Sequence, residues 1–229
     1  APRHLGDFYE TQNKFEPAEK YYKIAIEKGD NDTINTLGIL YENNDRPELA
    51  EKYYLLSIDY NNNDAMRNLA SLYKNQNKYE LSEKYYKMAI EKDDFYAPRN
   101  LGTLYAGQNK FASAEKYLKM AIERKNFDAY NDLGILYNNN NKPELAEKYY
   151  LLAVEKNDAY APGNLANFYE RQNKYDLAEK YFKIAIDCKD DDAINSLGLL
   201  YENEEKLELA EKYYKKKKKK DDFYASKNL

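Results

Sequence analysis

The sequence predicts an all-α fold: a right-handed α-solenoid, or superhelix, of about seven stacked helix-turn-helix repeats. Three observations predict it. A leucine returns at Leu5, Leu37, Leu69, Leu101, Leu133, Leu165, Leu197 and Leu229, a step of 32 residues without insertion or slip. An Ala-Glu-Lys-Tyr motif keeps the same beat at Ala18, Ala50, Ala114, Ala146, Ala178 and Ala210, with Ser82 in the remaining copy. Within each copy, apolar residues fall at the spacing of one helical face. A unit this small cannot bury its own apolar face, so neighbours must stack. The units start near residues 1, 33, 65, 97, 129, 161 and 193, and residues 1–229 read as one array.

The fourth copy shows the elements in order. Ala97, Leu101, Leu104 and Tyr105 predict a first helix over residues 97–107. Pro98 sits in its first turn, where a missing N–H costs nothing, and Pro2 and Pro162 share that slot. Gly107-Gln108-Asn109-Lys110 predicts a turn. The stripe Phe111, Ala114, Tyr117, Leu118, Ala121 and Ile122 predicts a second helix from Phe111 to Arg124. In the second and fifth copies Pro47-Glu48 and Pro143-Glu144 mark its start. Gly6, Gly38, Gly102, Gly134 and Gly198 share one first-helix slot, filled by Ala70 and Ala166 elsewhere. Glycine inside a helix costs about 0.5–1 kcal/mol against alanine, so its return predicts a close backbone contact, with the Ala of the Ala-Glu-Lys-Tyr motif as counterpart.

The seventh copy departs from the pattern. Lys215 to Lys220 replace the Lys-Ile-Ala-Ile-Glu-Lys type of ending, so Lys216, Lys217 and Lys218 occupy core slots. Unpaired charges cannot be buried there. The expectation is an atypical cap or a frayed helix end; a lysine tract for an acidic partner or nucleic acid, and a sequence artefact, are the alternatives. The chain begins at Ala1 in mid-repeat, and DDFYASKNL at its end matches DDFYAPRNL at 93–101, so the array is expected to continue beyond both ends.

Composition narrows the function classes. Net charge is −4 with a pI of about 5.4, which argues against a basic groove for nucleic acid. One cysteine, Cys188, permits no internal disulfide and suits a reducing, cytoplasmic compartment. No apolar run reaches membrane-spanning length, so no membrane partner is expected. Catalysis has little to work with: the single histidine, His4, lies in a different copy from Cys188, and no nucleophile, phosphate-loop or zinc motif is present. The Asp59–Asp64 stretch starts like a calcium loop but has Asp64 where glycine is needed and Ala70 where glutamate is needed. The sequence therefore predicts no enzyme, no cofactor, no metal and no catalytic residue.

Leu101-Gly102, Tyr105, Phe111, Ala114, Leu118 and Ala121 follow in the order of the tetratricopeptide repeat, which the chain resembles over its whole length. Gly102 to Ala114 is the 12-residue spacing of that family. The return from Ala121 to Gly134, 13 residues, is shorter and is similar to the linker of the Sel1-like repeat, as in Ala25-Ile26, Gly29, Thr33 and Leu37. The units also resemble repeats of giant-virus type. The resemblance implies that first helices line a concave groove. Carried over slot by slot, it points to Arg67, Asn68, Arg99, Asn100, Asn131 and Asn164 as peptide-binding residues. Asparagine bonds peptide N–H and C=O, and arginine grips carboxylates. A plain solvated helix face is the alternative. The predicted function is a protein–protein interaction scaffold with a protein or peptide ligand. A structural array that self-associates end to end or laterally is the other reading.

Overall fold

In a computed structural model, described here for the backbone of residues 1–227 and for side chains as far as Lys218, those residues form 14 helices and no strand. The first helices of successive hairpins are α1 (Pro2–Thr11), α3 (Asp32–Asn43), α5 (Asn63–Asn75), α7 (Ala97–Gly107), α9 (Ala129–Asn139), α11 (Ala161–Arg171) and α13 (Asp192–Asn203). The second helices are α2 (Phe15–Glu27), α4 (Pro47–Asp59), α6 (Tyr79–Glu91), α8 (Phe111–Glu123), α10 (Pro143–Glu155), α12 (Tyr175–Asp187) and α14 (Leu207–Lys227). Each first helix packs on the second helix that follows it. The chain divides into two compact units, Ala1–Arg124 and Lys125–Leu229. Within each unit a second helix packs in turn on the next first helix, as α4 does on α5 and α10 on α11.

Both turns of the repeat pivot on a left-handed residue. Asn13, Asp45, Asn77, Asn109, Asn141, Asn173 and Glu205 do so in the inner turn, at φ between 54° and 59°. Gly29, Asn61, Asp93, Lys125, Asn157 and Lys189 do so in the outer turn. Asparagine tolerates this region better than most other side chains, which explains the asparagines at these pivots. The turn closes by N–H bonds back into the helix: Asn13 N–H reaches Glu10 O at 2.8 Å and Lys14 N–H reaches Tyr9 O at 2.9 Å. These bonds satisfy carbonyls that a helix end leaves open. The lysine after the pivot then lies over the first-helix tyrosine, Lys78 at 5.5 Å from the Tyr73 ring and Lys174 at 5.5 Å from Tyr169.

The five-residue Ala-Glu-Lys-Tyr-Tyr run can now be read residue by residue. Its Ala is fully buried at Ala18, Ala50, Ala114, Ala146 and Ala178. Its Glu accepts a hydrogen bond from the first-helix tyrosine of the next repeat: Tyr41 to Glu19 at 2.7 Å, Tyr73 to Glu51 at 2.9 Å and Tyr169 to Glu147 at 2.7 Å. Its first Tyr stacks on the first-helix tyrosine of its own hairpin, as Tyr53 does on Tyr41 with centroids 5.2 Å apart and Tyr149 on Tyr137 at 5.3 Å. Its second Tyr corrects the expectation for the glycine slot. A Cβ on Gly38 would stand 2.7 Å from the Tyr54 ring, and one on Gly134 would stand 2.5 Å from the Tyr150 ring. The small residue admits an aromatic side chain edge-on. It does not bring two backbones together through the motif's Ala. At Gly102 the occupant is Leu118.

In the last hairpin α14 runs through Lys215–Lys218 to Lys227 as one helix, past the point where the other second helices turn. The side chains of Lys219 and Lys220, part of the lysine tract, lie outside the described residues.

Candidate interaction surface

Four of the six candidate residues belong to unit Ala1–Arg124. Arg67 and Asn68 are neighbours near the start of α5, and Arg99 and Asn100 are their equivalents in the first turn of α7; all four are half-buried. Asn131 on α9 and Asn164 on α11 belong to the other unit.

Arg67 is fixed rather than free. Its Nε donates to Asp94 Oδ2 at 3.0 Å and its Nη2 to Asp64 Oδ1 at 3.1 Å. Its guanidinium lies 5.3 Å from the Tyr96 ring centroid. Burial works against its charge, but the Asp94 and Asp64 carboxylates outweigh that and hold the guanidinium above its ordinary value. Asp94 is the hub. Its side chain is only 4% exposed, and its Oδ1 accepts the N–H groups of Tyr96 at 2.8 Å and Ala97 at 2.7 Å, where α7 begins. One carboxylate thus starts a helix and pins an arginine from the preceding repeat.

The asparagines bond to one another across successive first helices. Asn68 Nδ2 donates to Asn35 Oδ1 at 3.1 Å, and Asn164 Nδ2 donates to Asn131 Oδ1 at 3.0 Å. The two bonds have the same register, 33 residues apart in sequence. Asn131 is 6% exposed. It is therefore not the outward-facing residue its slot suggested; its work is to hold Asn164. The Asn100 side chain has no hydrogen-bond partner among the described residues, and its carbonyl accepts Thr103 Oγ1 at 2.9 Å.

Where a tyrosine fills the small slot, its hydroxyl reaches the first-helix face. Tyr54 donates to Glu42 at 2.6 Å and Tyr214 to Glu202 at 2.7 Å, while Tyr22 donates to Glu10 at 2.5 Å with Asp7 at 3.0 Å. Burial first, and then the Glu42 carboxylate, push the Tyr54 phenol far above its ordinary range. Tyr150, with no carboxylate beside it, is pushed up by burial alone to about 12. In the copy whose ring is Phe182, without a hydroxyl, burial raises the Glu170 carboxyl. Glu10, Glu42 and Glu202 lie in first-helix groove slots that the period marks, but the tyrosine hydroxyls that bond them escaped the sequence reading. So did the hub. The signal for the hub lies in Asp30, Asn62, Asp94, Asn126, Asp158 and Asp190, an Asp or Asn every 32 residues. Asp158 and Asp190 accept N–H bonds at the starts of α11 and α13 as Asp94 does at α7.

Among the described residues no three histidine, cysteine, aspartate or glutamate side chains converge as a metal site, and no helix is long and apolar enough to cross a membrane. Cys188, at the end of α12, is exposed.

Models of the tetratricopeptide repeat match residues 32–64, 64–92, 99–164, 163–192 and 191–216. No curated protein matches the chain. Solved structures share its fold, among them the following. A Sel1 repeat protein from Oxalobacter formigenes is 22% identical with a TM-score of 0.67, over 93% of this chain and 98% of that one. A protective antigen of uropathogenic Escherichia coli displaying an SLR fold is 21% identical with a TM-score of 0.65, over 94% of this chain and 52% of that one. A chain of the APC/C hetero-tetramer Cut9–Hcn1 is 18% identical with a TM-score of 0.65, over 94% of this chain and 45% of that one. The chain thus spans about half the length of the last two.

Proposed function

Because the chain belongs to the tetratricopeptide repeat family, whose members mediate protein–protein interactions, we propose that it is a non-catalytic scaffold. Its ligand is an extended peptide or protein segment, held along the first-helix face of unit Ala1–Arg124. The observation that carries this reading is the row of braced polar groups on α5 and α7. Asn68 has given one N–H to Asn35 and keeps the rest of its amide; Asn100 keeps all of its own. An amide offers both donor and acceptor, which is what a peptide main chain needs. Arg67, its charge already matched by Asp94 and Asp64, braces this face so that little ordering is needed on binding. The likeness to a chain found in a hetero-tetramer agrees with a role in assembly. A reducing, cytoplasmic setting suits the exposed thiol of Cys188.

A display library of linear peptides tests the reading. The best binder is expected to lose at least about tenfold in affinity, about 1.4 kcal/mol, with Asn68→Ala plus Asn100→Ala, and again with Arg99→Ala. Unchanged affinity in variants that keep their helical circular dichroism rejects the site.

A further inference from the structure

The second helices carry a feature on the opposite side of the hairpin from the first-helix face. In five of them a Glu–Lys pair one turn apart covers the outer stripe: Glu83–Lys87 at 2.6 Å, and Glu19–Lys23, Glu115–Lys119, Glu179–Lys183 and Glu211–Lys215 at 2.5 Å. In α4 and α10 that lysine is replaced by Leu55 and Leu151, which are 37% and 38% exposed. The five lysine-bearing copies show that the fold does not need leucine there. The same substitution therefore marks two surfaces, one in each unit, 96 residues apart in sequence.

Each surface has the same make-up. On α4, Leu55 and Leu56 line a shallow hollow with Glu48, Glu51, Asp59 and Lys52 around them. On α10, Leu151 and Leu152 are ringed by Glu144, Glu147, Glu155 and Lys148. Three carboxylates stand against one lysine on each rim, and Lys78 at 4.0 Å from Glu51 and Lys156 at 3.6 Å from Glu155 leave each with a formal charge of −1. Glu51 and Glu147 are held in place by the hydroxyls of Tyr73 and Tyr169. The stripe follows one helix for about three turns, roughly 16 Å.

We propose that the outer stripes of α4 and α10 are two equivalent docking sites for a basic amphipathic helix of a partner protein. An apolar stripe of this length takes the apolar face of a helix laid along it. The acidic rim selects lysine and arginine beside that face and rejects acidic partners, including an anionic membrane surface. A second copy of the same stripe would bring like charges together and is disfavoured.

The probe is a synthetic peptide of about 18 residues, five helical turns, with leucines on one face and lysines on the other. Isothermal titration at about 0.1 M salt, where surface charges still act over about 10 Å, gives the stoichiometry. Two equal sites per chain are expected. Leu55→Lys and Leu151→Lys, which rebuild the pair of the sister helices, each leave one site, and the double variant leaves none. A peptide of the same composition scrambled to have no apolar face binds at least about tenfold more weakly. Undiminished binding to the double variant overturns the proposal, and so does equal binding of the scrambled peptide. Asn68→Ala with Asn100→Ala leaves both sites intact, so this test and that of the first-helix face fail independently.

Discussion

Residues 96 positions apart occupy the same place in the two units, and several of them differ in polarity. Thr33, Ser57 and Ser82 in the first unit correspond to Ala129, Ala153 and Ala178 in the second. All six are fully buried, and the three hydroxyls have no hydrogen-bond partner. Glu42, which receives the Tyr54 hydroxyl, corresponds to Asn138 near Tyr150 in sequence order. Arg67 on Asp94 corresponds to Gly163 beside Asp190, whose Oδ2 lies 2.7 Å from where a Gly163 Cβ would stand. The recurring frame of tyrosines, alanines and left-handed turn residues is common to both. The first unit adds polar groups that the frame does not require, some satisfied and some not. Buried polar groups that gain nothing for the fold are most economically explained by a function in that unit.

The largest expected effect separates the two carboxylate hubs. Asp94→Ala removes a helix-start acceptor and leaves the half-buried Arg67 with Asp64 as its remaining carboxylate, so it should destabilise by about 2 kcal/mol. Asp190→Ala removes only the acceptor and should cost about 1 kcal/mol. Urea denaturation measures both, and equal losses would dissolve the distinction.

Next come the unpartnered hydroxyls. Ser57→Ala and Ser82→Ala should each stabilise by about 1 kcal/mol, since an unsatisfied buried hydroxyl is replaced by the residue that already fits in the second unit. A loss of stability would mean that these hydroxyls have partners in solution.

Tyr54→Phe should cost about 1 kcal/mol through the lost Glu42 bond, and Tyr150→Phe close to nothing. The same pair sets the alkaline behaviour. A phenol whose folded value lies above its unfolded one stabilises the fold below the unfolded value, near 10, and loses that contribution as pH rises. Tyr41, Tyr105, Tyr150 and Tyr201 are pushed up to about 12, by burial and, except in Tyr150, by a neighbouring glutamate as well. Stability should therefore fall from about pH 10 upward, with tyrosinate absorbance and loss of helix rising together. Tyrosinate forming in a still-helical chain would contradict it.

The smallest effect concerns the outer turn. Lys189→Asn should gain about 0.5–1 kcal/mol because lysine is costly at a positive φ, and Asp93→Asn, at the corresponding pivot, should change little. Melting temperatures resolve the two.

Much of this architecture is legible from the period. Leucine steps, prolines at helix starts and the Gly107–Lys110 turn place helices to within a residue, because each signal is local and repeated. The site was legible only as slots. That Asn68 bonds Asn35, and that Arg67 reaches Asp94, depends on which side chains two different repeats present to each other, and a period does not encode that. The partner of Gly38 was misassigned for a related reason: the spacing shows that a small residue is needed, but the neighbour that needs it is the Tyr54 ring. The exposed leucines of α4 and α10 stand out only beside their sister lysines, which are paired with glutamate.

The central claim is that ligand recognition lies on the first-helix face of unit Ala1–Arg124. Amide hydrogen exchange, with and without the display-selected peptide, tests it most directly. Protection on α3, α5 and α7, centred on Asn68 and Asn100, is the predicted result. Protection confined to second helices or to unit Lys125–Leu229 would contradict it.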